Sequence, residues 1–206
     1  MFKWIANKAN DAVQKKLFSQ YQDRKVWLFR AYHDLAMKAG CDEEGASKVA
    51  GLAANVLTGE PHAPDKLAAL SDEQRALANK LSGETESVNE FREAGAEAAW
   101  WLSQLRLVQG TVPEKRSPTK HMVAPEAFAA ALSLIDRAIE LSPKSSFFAT
   151  KANTYLYGLE FLNAEWAANE ALSLDASNPE AKRLGLTARN LRTKIGSFGP
   201  KEFCAR

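Results

Sequence analysis

The chain has 206 residues, of which 46% are hydrophobic, 25% charged and 9% aromatic, the composition of a globular domain rather than a disordered, collagenous or membrane-spanning chain. Its 27 Lys and Arg against 25 Asp and Glu leave a formal charge of +2, which by itself selects neither nucleic acid nor an acidic surface. No run approaches the roughly 18 consecutive apolar residues that a transmembrane helix needs, and at this size a core forms without disulfide or metal staples.

Charge is distributed unevenly. Residues 1–30 carry seven basic and two acidic side chains, residues 42–97 five and twelve, and residues 182–206 seven and one. The ordinary reading is a set of solvated faces of opposite sign that attract one another within the fold. Cys41 and Cys204 stand far apart, and Lys3 and Lys8 interrupt any apolar leader in the first ten residues, so a reducing cytoplasm is expected.

Apolar residues recur at helical spacing and sustained alternation is absent, which predicts an all-α chain. Phe2, Ile5, Ala9, Val13 and Leu17 line one face of a first helix. A second is predicted from about Asp23 to Ala39, ending at Gly40. Asp42 is a good N-cap for a third, with Glu43 and Glu44 at its positive end and Gly59 as its stop before Pro61. After a turn over Pro61–Pro64, Ser71 and Gln74 form a capping-box pattern that opens a helix ending at Gly83. The strings Asn55–Glu60 and Asn79–Glu84 look alike, as common helix endings do. A long helix follows from about Glu86 to Gln109. Residues 110–125 then read as a polar loop broken by Pro113, Pro118 and Pro125 and carrying Lys115, Arg116 and Lys120. Further helices are predicted at about 126–141, 146–158, 161–174 and 179–194.

One internal repeat rises above this background. Phe128, Ala131, Leu134, Ala138, Ile139 and Leu141 are echoed 33 positions later by Phe161, Ala164, Ala167, Ala171, Leu172 and Leu174. Small alanines let helices approach closely, while the aromatic fills the space where a helix pair turns. The segment Ala138–Pro143 is a typical repeat ending, Ala171–Asp175 is a second, and Trp100, Leu102, Ser103 and Gly110 read as the first helix of a unit. Over about residues 96–194 the sequence resembles the tetratricopeptide repeat family, whose units are antiparallel helix pairs of about 34 residues. It departs from that pattern at Lys151, where leucine is usual, at Leu159, where glycine is usual, at Ala176, where proline is usual, and in the long insertion before Pro125.

Helical periodicity predicts an N-terminal helical bundle over residues 1–95 and a tail over 196–206, and the resemblance implies a short α-α superhelical array with a capping helix over 96–195. It also implies a non-catalytic adaptor, scaffold or chaperone-like factor that holds a partner peptide or helix on its repeat surface. The groove side of the 146–158 helix is then expected to present Ala149, Asn153 and Tyr157. The capping helix is expected to present Lys182 or Arg183, with Arg189 and Asn190. Asn153 with Lys182 and Arg183 is one arrangement that would clamp a terminal carboxylate; the alternative is solvated charges on a terminal helix. Trp100 and Trp101, like Phe147 and Phe148, point about 100° apart on a helix, so each pair either packs in the core or leaves one ring for an interface.

Elsewhere the chain is poor in chemistry. His33, His62 and His121 have no partner at metal-ligand spacing, and phosphate-binding glycine loops and serine-nucleophile motifs are absent. His33, on an aromatic-rich helix, reads as a half-buried structural residue. No cofactor and no nucleic-acid partner are expected. The alternatives are a helical enzyme or small-ligand protein with its site among the acidic residues of the N-terminal bundle, or peripheral membrane attachment through the basic helix of residues 1–18.

Overall fold

The computed structural model describes residues 2–114 and 117–197, with side chains for 10–111 and 123–194. The expectations that rest on the side chains of Phe2, Lys3, Ile5, Lys8 and Lys120, on Lys115 and Arg116, and on Cys204 and the rest of the tail lie outside those residues. The chain is all-helical apart from one short hairpin. In order it forms α1 (Phe2–Lys38), α2 (Glu43–Thr58), α3 (Pro64–Ala68), α4 (Asp72–Thr85) and α5 (Asn89–Gln109). Strands β1 (Thr111–Glu114) and β2 (Ser117–Val123) follow, then α6 (Pro125–Leu141), α7 (Ser145–Tyr157), α8 (Phe161–Leu174) and α9 (Pro179–Ser197). No described helix is long and apolar enough to cross a membrane.

The expected break between two N-terminal helices is absent: α1 runs 37 residues without interruption. No glycine or proline lies between Phe2 and Lys38, and Leu17, Tyr21, Leu28, Tyr32 and Ala36 make a single buried stripe that continues through the supposed boundary. Asp23 is simply an exposed residue of that helix. Further along, the Asp42 carboxylate accepts from Gly45 N–H at 2.8 Å, and Ser71 and Gln74 exchange both bonds of a capping box. Pro64, the last residue of the expected turn, opens the short helix α3.

The two look-alike strings have different fates. Gly59 adopts φ 70° and closes α2, its N–H bonding back to the Asn55 and Val56 carbonyls. Gly83, in the same local sequence, lies inside α4 with ordinary helical φ. Pro61 forbids continuation after Gly59, whereas Glu84 and Thr85 continue α4, and the Thr85 hydroxyl meets that of buried Tyr32 at 2.6 Å.

The region read as a loop contains an antiparallel pair, with Thr111 opposite Val123, Val112 opposite Met122 and Pro113 opposite His121. The register shifts between Pro113 and Glu114. Proline at two positions hides the strand signal, yet proline is tolerated on the open side of a two-stranded ribbon.

A first core spans α1, α2, α4, α5 and α6 and ends at Phe147, at the start of α7. The boundary expected at 95/96 therefore falls inside α5, where Ala94, Ala96, Ala98 and Ala99 all belong to that core. A second core, of Ala149, Ala152, Ala167, Ala168, Ala171, Ala181 and Leu184, joins α7, α8 and α9. Helix ends are tied across these layers. Arg92 donates to the Leu141 carbonyl at 2.9 Å and Arg137 to the Leu57 carbonyl at 3.0 Å, so the unsatisfied ends of α6 and α2 each meet a cation. The first of these bonds joins the start of α5 to the end of α6, and the bond from Ser145 to the Ala171 carbonyl at 2.7 Å joins the start of α7 to the end of α8. Both pairs are antiparallel.

Candidate partner-binding cleft

A cleft of about 220 Å³ opens where α1, α5, α7 and the first turn of α9 converge. Helical spacing builds each wall. On α5, Trp100, Gln104, Leu107 and Val108 share one face; on α7, Ser146, Thr150, Asn153 and Tyr157 do. Val13 and Leu17 of α1 form the third side and Glu180 the far end.

The α5–α7 wall is set by a directed bond. The Trp100 indole N–H donates to the Thr150 hydroxyl at 2.8 Å, and that hydroxyl donates onward to the Ser146 carbonyl at 3.0 Å. The indole also packs against Phe147 at 5.1 Å and Trp101 at 4.2 Å between ring centroids. Asn178 fixes the other end. Its carbonyl oxygen caps α9 by accepting from Ala181 N–H at 3.0 Å, while its amide donates to Ser145 at 2.8 Å. Ser146 and Glu180 are held across the cleft by this tie.

Two polar side chains in the cleft lack partners. The Gln104 Nε2 is buried without a hydrogen bond, which is costly unless an acceptor arrives. Asn153 makes no hydrogen bond among the described residues, and Tyr157 is 45% exposed at the rim. Glu180 is the one charged residue in the lining among the described residues, and it meets Arg183 at 3.9 Å.

Alpha 1 is held against the bundle by a half-buried polar cluster one turn beyond Leu17. Tyr21 donates to Glu60 at 2.6 Å, Lys25 donates to Glu60 at 2.7 Å and to Asn55, and the Asn55 amide meets His62 Nδ1 at 2.9 Å. Burial alone would raise the Glu60 carboxyl, but the charge and hydrogen bond of Lys25, the Tyr21 bond and the Arg106 charge together hold it below its ordinary range. Burial lowers the Lys25 ammonium, against the opposing pull of Glu60, and raises the Tyr21 hydroxyl.

Of the residues the sequence singled out, Asn153, Tyr157 and Trp100 meet in the cleft. Trp101 is half-buried against the first core, Phe147 is buried in it, and Phe148 packs on the second. Ala149 does not face the groove; it is buried in the second core, one residue and so about 100° away from Thr150. Arg189 is drawn to α8, where it and Arg192 bind the two oxygens of Glu165 at 2.9 and 3.0 Å. Lys182 is exposed and lies in the field of Asp175 at the α8–α9 turn, and Asn190 is exposed. Of the α9 cations singled out in the sequence, Arg183 reaches the rim, through Glu180. A carboxylate clamp of Asn153, Lys182 and Arg183 is thus not assembled, and the lining carries an acid where that clamp needs a cation. Gln104, Thr150, Ser146 and Glu180 went unnoticed in the sequence; the spacing 146, 150, 153, 157 of polar and aromatic residues is the signal that identifies their face.

Outside the cleft, His33 is half-buried, stacked on Phe29 and 3.4 Å from the Glu43 carboxylate. No group of three or more His, Cys, Asp or Glu among the described residues is arranged to hold a metal ion. No family model matches the chain, and no curated protein or solved structure is similar to it.

Proposed function

We propose that this protein is a non-catalytic protein-interaction module in which two tetratricopeptide-like helix pairs, α5–α6 and α7–α8, are capped by α9. A partner peptide or helix docks in the cleft between α5 and α7. The observation that carries this reading is the pairing of aromatic side chains with unpartnered amides: exposed Tyr157 and half-buried Trp100 offer apolar contact, while Gln104 and Asn153 offer bonds that a peptide backbone can complete. The antiparallel pairs and the packing of α9 on both α7 and α8 support the repeat reading. In it, α5, α7 and α9 are the first helices of successive units and share one face, and α1 narrows that face from the side. Glu180 at the end of the cleft suits a neutral or basic segment better than a terminal carboxylate.

The test is affinity capture with wild type, an Asn153→Ala/Tyr157→Ala variant and a Lys182→Glu/Arg189→Glu variant, with direct titration of whatever partner is identified. Binding lost in the first variant and kept in the second supports docking in the cleft. A partner that binds all three equally rules the cleft out.

A further inference from the structure

A second cavity, of about 330 Å³, lies on the opposite flank of α1, between α1, α2 and the α3 segment. Its floor is cut into α2. A side chain built at Gly51 would meet nothing within 4 Å, so the helix there faces open space, and the small Ser47 one turn earlier keeps the trough open. Phe29 on α1 and buried Leu70 after α3 supply apolar walls.

Among the described residues Lys48, Lys66 and His62 line the trough and no carboxylate does, while Glu60 and Asp65 act on His62 from outside the lining. Lys48 is held by Glu44 at 2.7 Å on its outer side, whereas Lys66 is exposed and has no carboxylate partner among the described residues.

His62 is oriented by the cluster that anchors α1. The Lys25 ammonium can only donate, so Asn55 presents its oxygen to Lys25 and its NH₂ to His62 Nδ1. The neutral imidazole must then carry its proton on Nε2, which leaves one N–H donor on the ring edge away from Asn55.

The geometry points to a binding site for a small amphiphilic anion, an apolar body lying along Gly51 between Phe29 and Leu70 with its carboxylate-like head against Lys66 and His62. Its volume is at the lower end of those that hold small ligands, about 300–1,000 Å³. Apolar walls with a few convergent polar groups are the usual character of such sites, and charge selects the head group.

Octanoate serves as the probe, octylammonium as the charge control and acetate as the head-group control, each titrated calorimetrically into the full chain. Octanoate should bind at one site, with octylammonium and acetate showing no saturable heat. Gly51→Leu places a side chain in the trough from a Cβ position with no neighbour within 4 Å and improves helix propensity, so it should fold normally by circular dichroism and lose octanoate binding. Ser47→Leu is a second block on the same floor. Lys66→Glu should weaken octanoate about tenfold, and Asn153→Ala/Tyr157→Ala, in the other cleft, should leave it unchanged. Absence of octanoate binding, equal binding of octylammonium, or binding that survives both Gly51→Leu and Ser47→Leu would each overturn the assignment.

Discussion

The two cores of this molecule are built from different material. In the first, Leu28, Tyr32, Leu57, Ile135, Leu141 and Phe147 fill the space between α1, α2, α5 and α6. In the second, six alanines and Leu184 bring α7, α8 and α9 together. A large buried side chain stabilises through the apolar area it removes from water, at about 25 cal/mol per Å². Alanine removes little area; it lets backbones approach closely, so the second core depends on shape and on polar ties such as Ser145–Asn178 and Glu165 with Arg189 and Arg192. The first region therefore responds most to loss of volume, although α5 also passes α2 closely at Gly95, where a side chain would come within 2.9 Å of Leu57. The second has the reverse sensitivity, and it is the region that carries half of the candidate cleft.

Truncation in the first core should give the largest effect. Leu28→Ala removes a side chain with no exposed surface and is expected to cost about 2–5 kcal/mol in urea unfolding. A loss below about 1 kcal/mol would mean that the α1–α2–α5 interface collapses around the cavity, contrary to the packing described. Enlargement in the second core comes next. Ala168 lies 3.3 Å from the position a side chain would take at Gly185, and Ala168→Leu should cost about 1–3 kcal/mol by forcing α8 from α9. Hydrogen exchange would then show faster opening of α7–α9, with the amides of α2 and α5 unchanged. Uniform acceleration would instead make the two cores one cooperative unit.

The polar ties differ in the same sense. In the second core Glu165 is as buried as Glu60 but its partners Arg189 and Arg192 are exposed, whereas Glu60 pairs with the equally buried Lys25 and its carboxyl is held below the ordinary carboxylate range. A depressed carboxyl contributes stability that is present above its unfolded value and lost as pH falls through the folded one. The urea midpoint should consequently drop as pH decreases below about 4.5, and Glu60→Gln should flatten that acid limb. An unchanged limb would show that other carboxylates, such as Glu93 beside Lys144, dominate it.

The smallest effect is expected at the α7–α8 turn. Leu159 has φ 62°, a left-handed conformation unfavourable for a branched side chain, and its side chain is 63% exposed. Leu159→Gly relieves the strain but gives the unfolded chain more freedom, so a net gain of up to about 1 kcal/mol is expected. A loss would indicate that this leucine makes a contact worth more than its backbone strain.

Helix content was legible because apolar periodicity and local stops are short-range. The Asp42 cap, the Ser71–Gln74 box and the span of α8 follow from side chains within a turn of one another. Lys151 shows where local reading ends. It departs from the repeat pattern as a cation in place of leucine, yet it binds Asp136 of α6 at 2.6 Å and lies 5.2 Å from the Trp166 ring of α8. Those partners are 15 residues away on either side in the sequence. The same holds for the α9 cations, whose direction depended on Glu165 and Asp175 rather than on their own spacing.

Where helices form and which of their faces are apolar follow from local sequence, since these depend on backbone preferences and on neighbours three or four residues away. Tertiary structure decided which of those faces remain open. Trp100 meets Thr150, the Gln104 Nε2 is buried without a partner among the described residues and Gly51 opens onto empty space only because helices distant in sequence pack at particular rotations, and a rotation of one residue, about 100°, exchanges a buried alanine for a cleft-lining threonine.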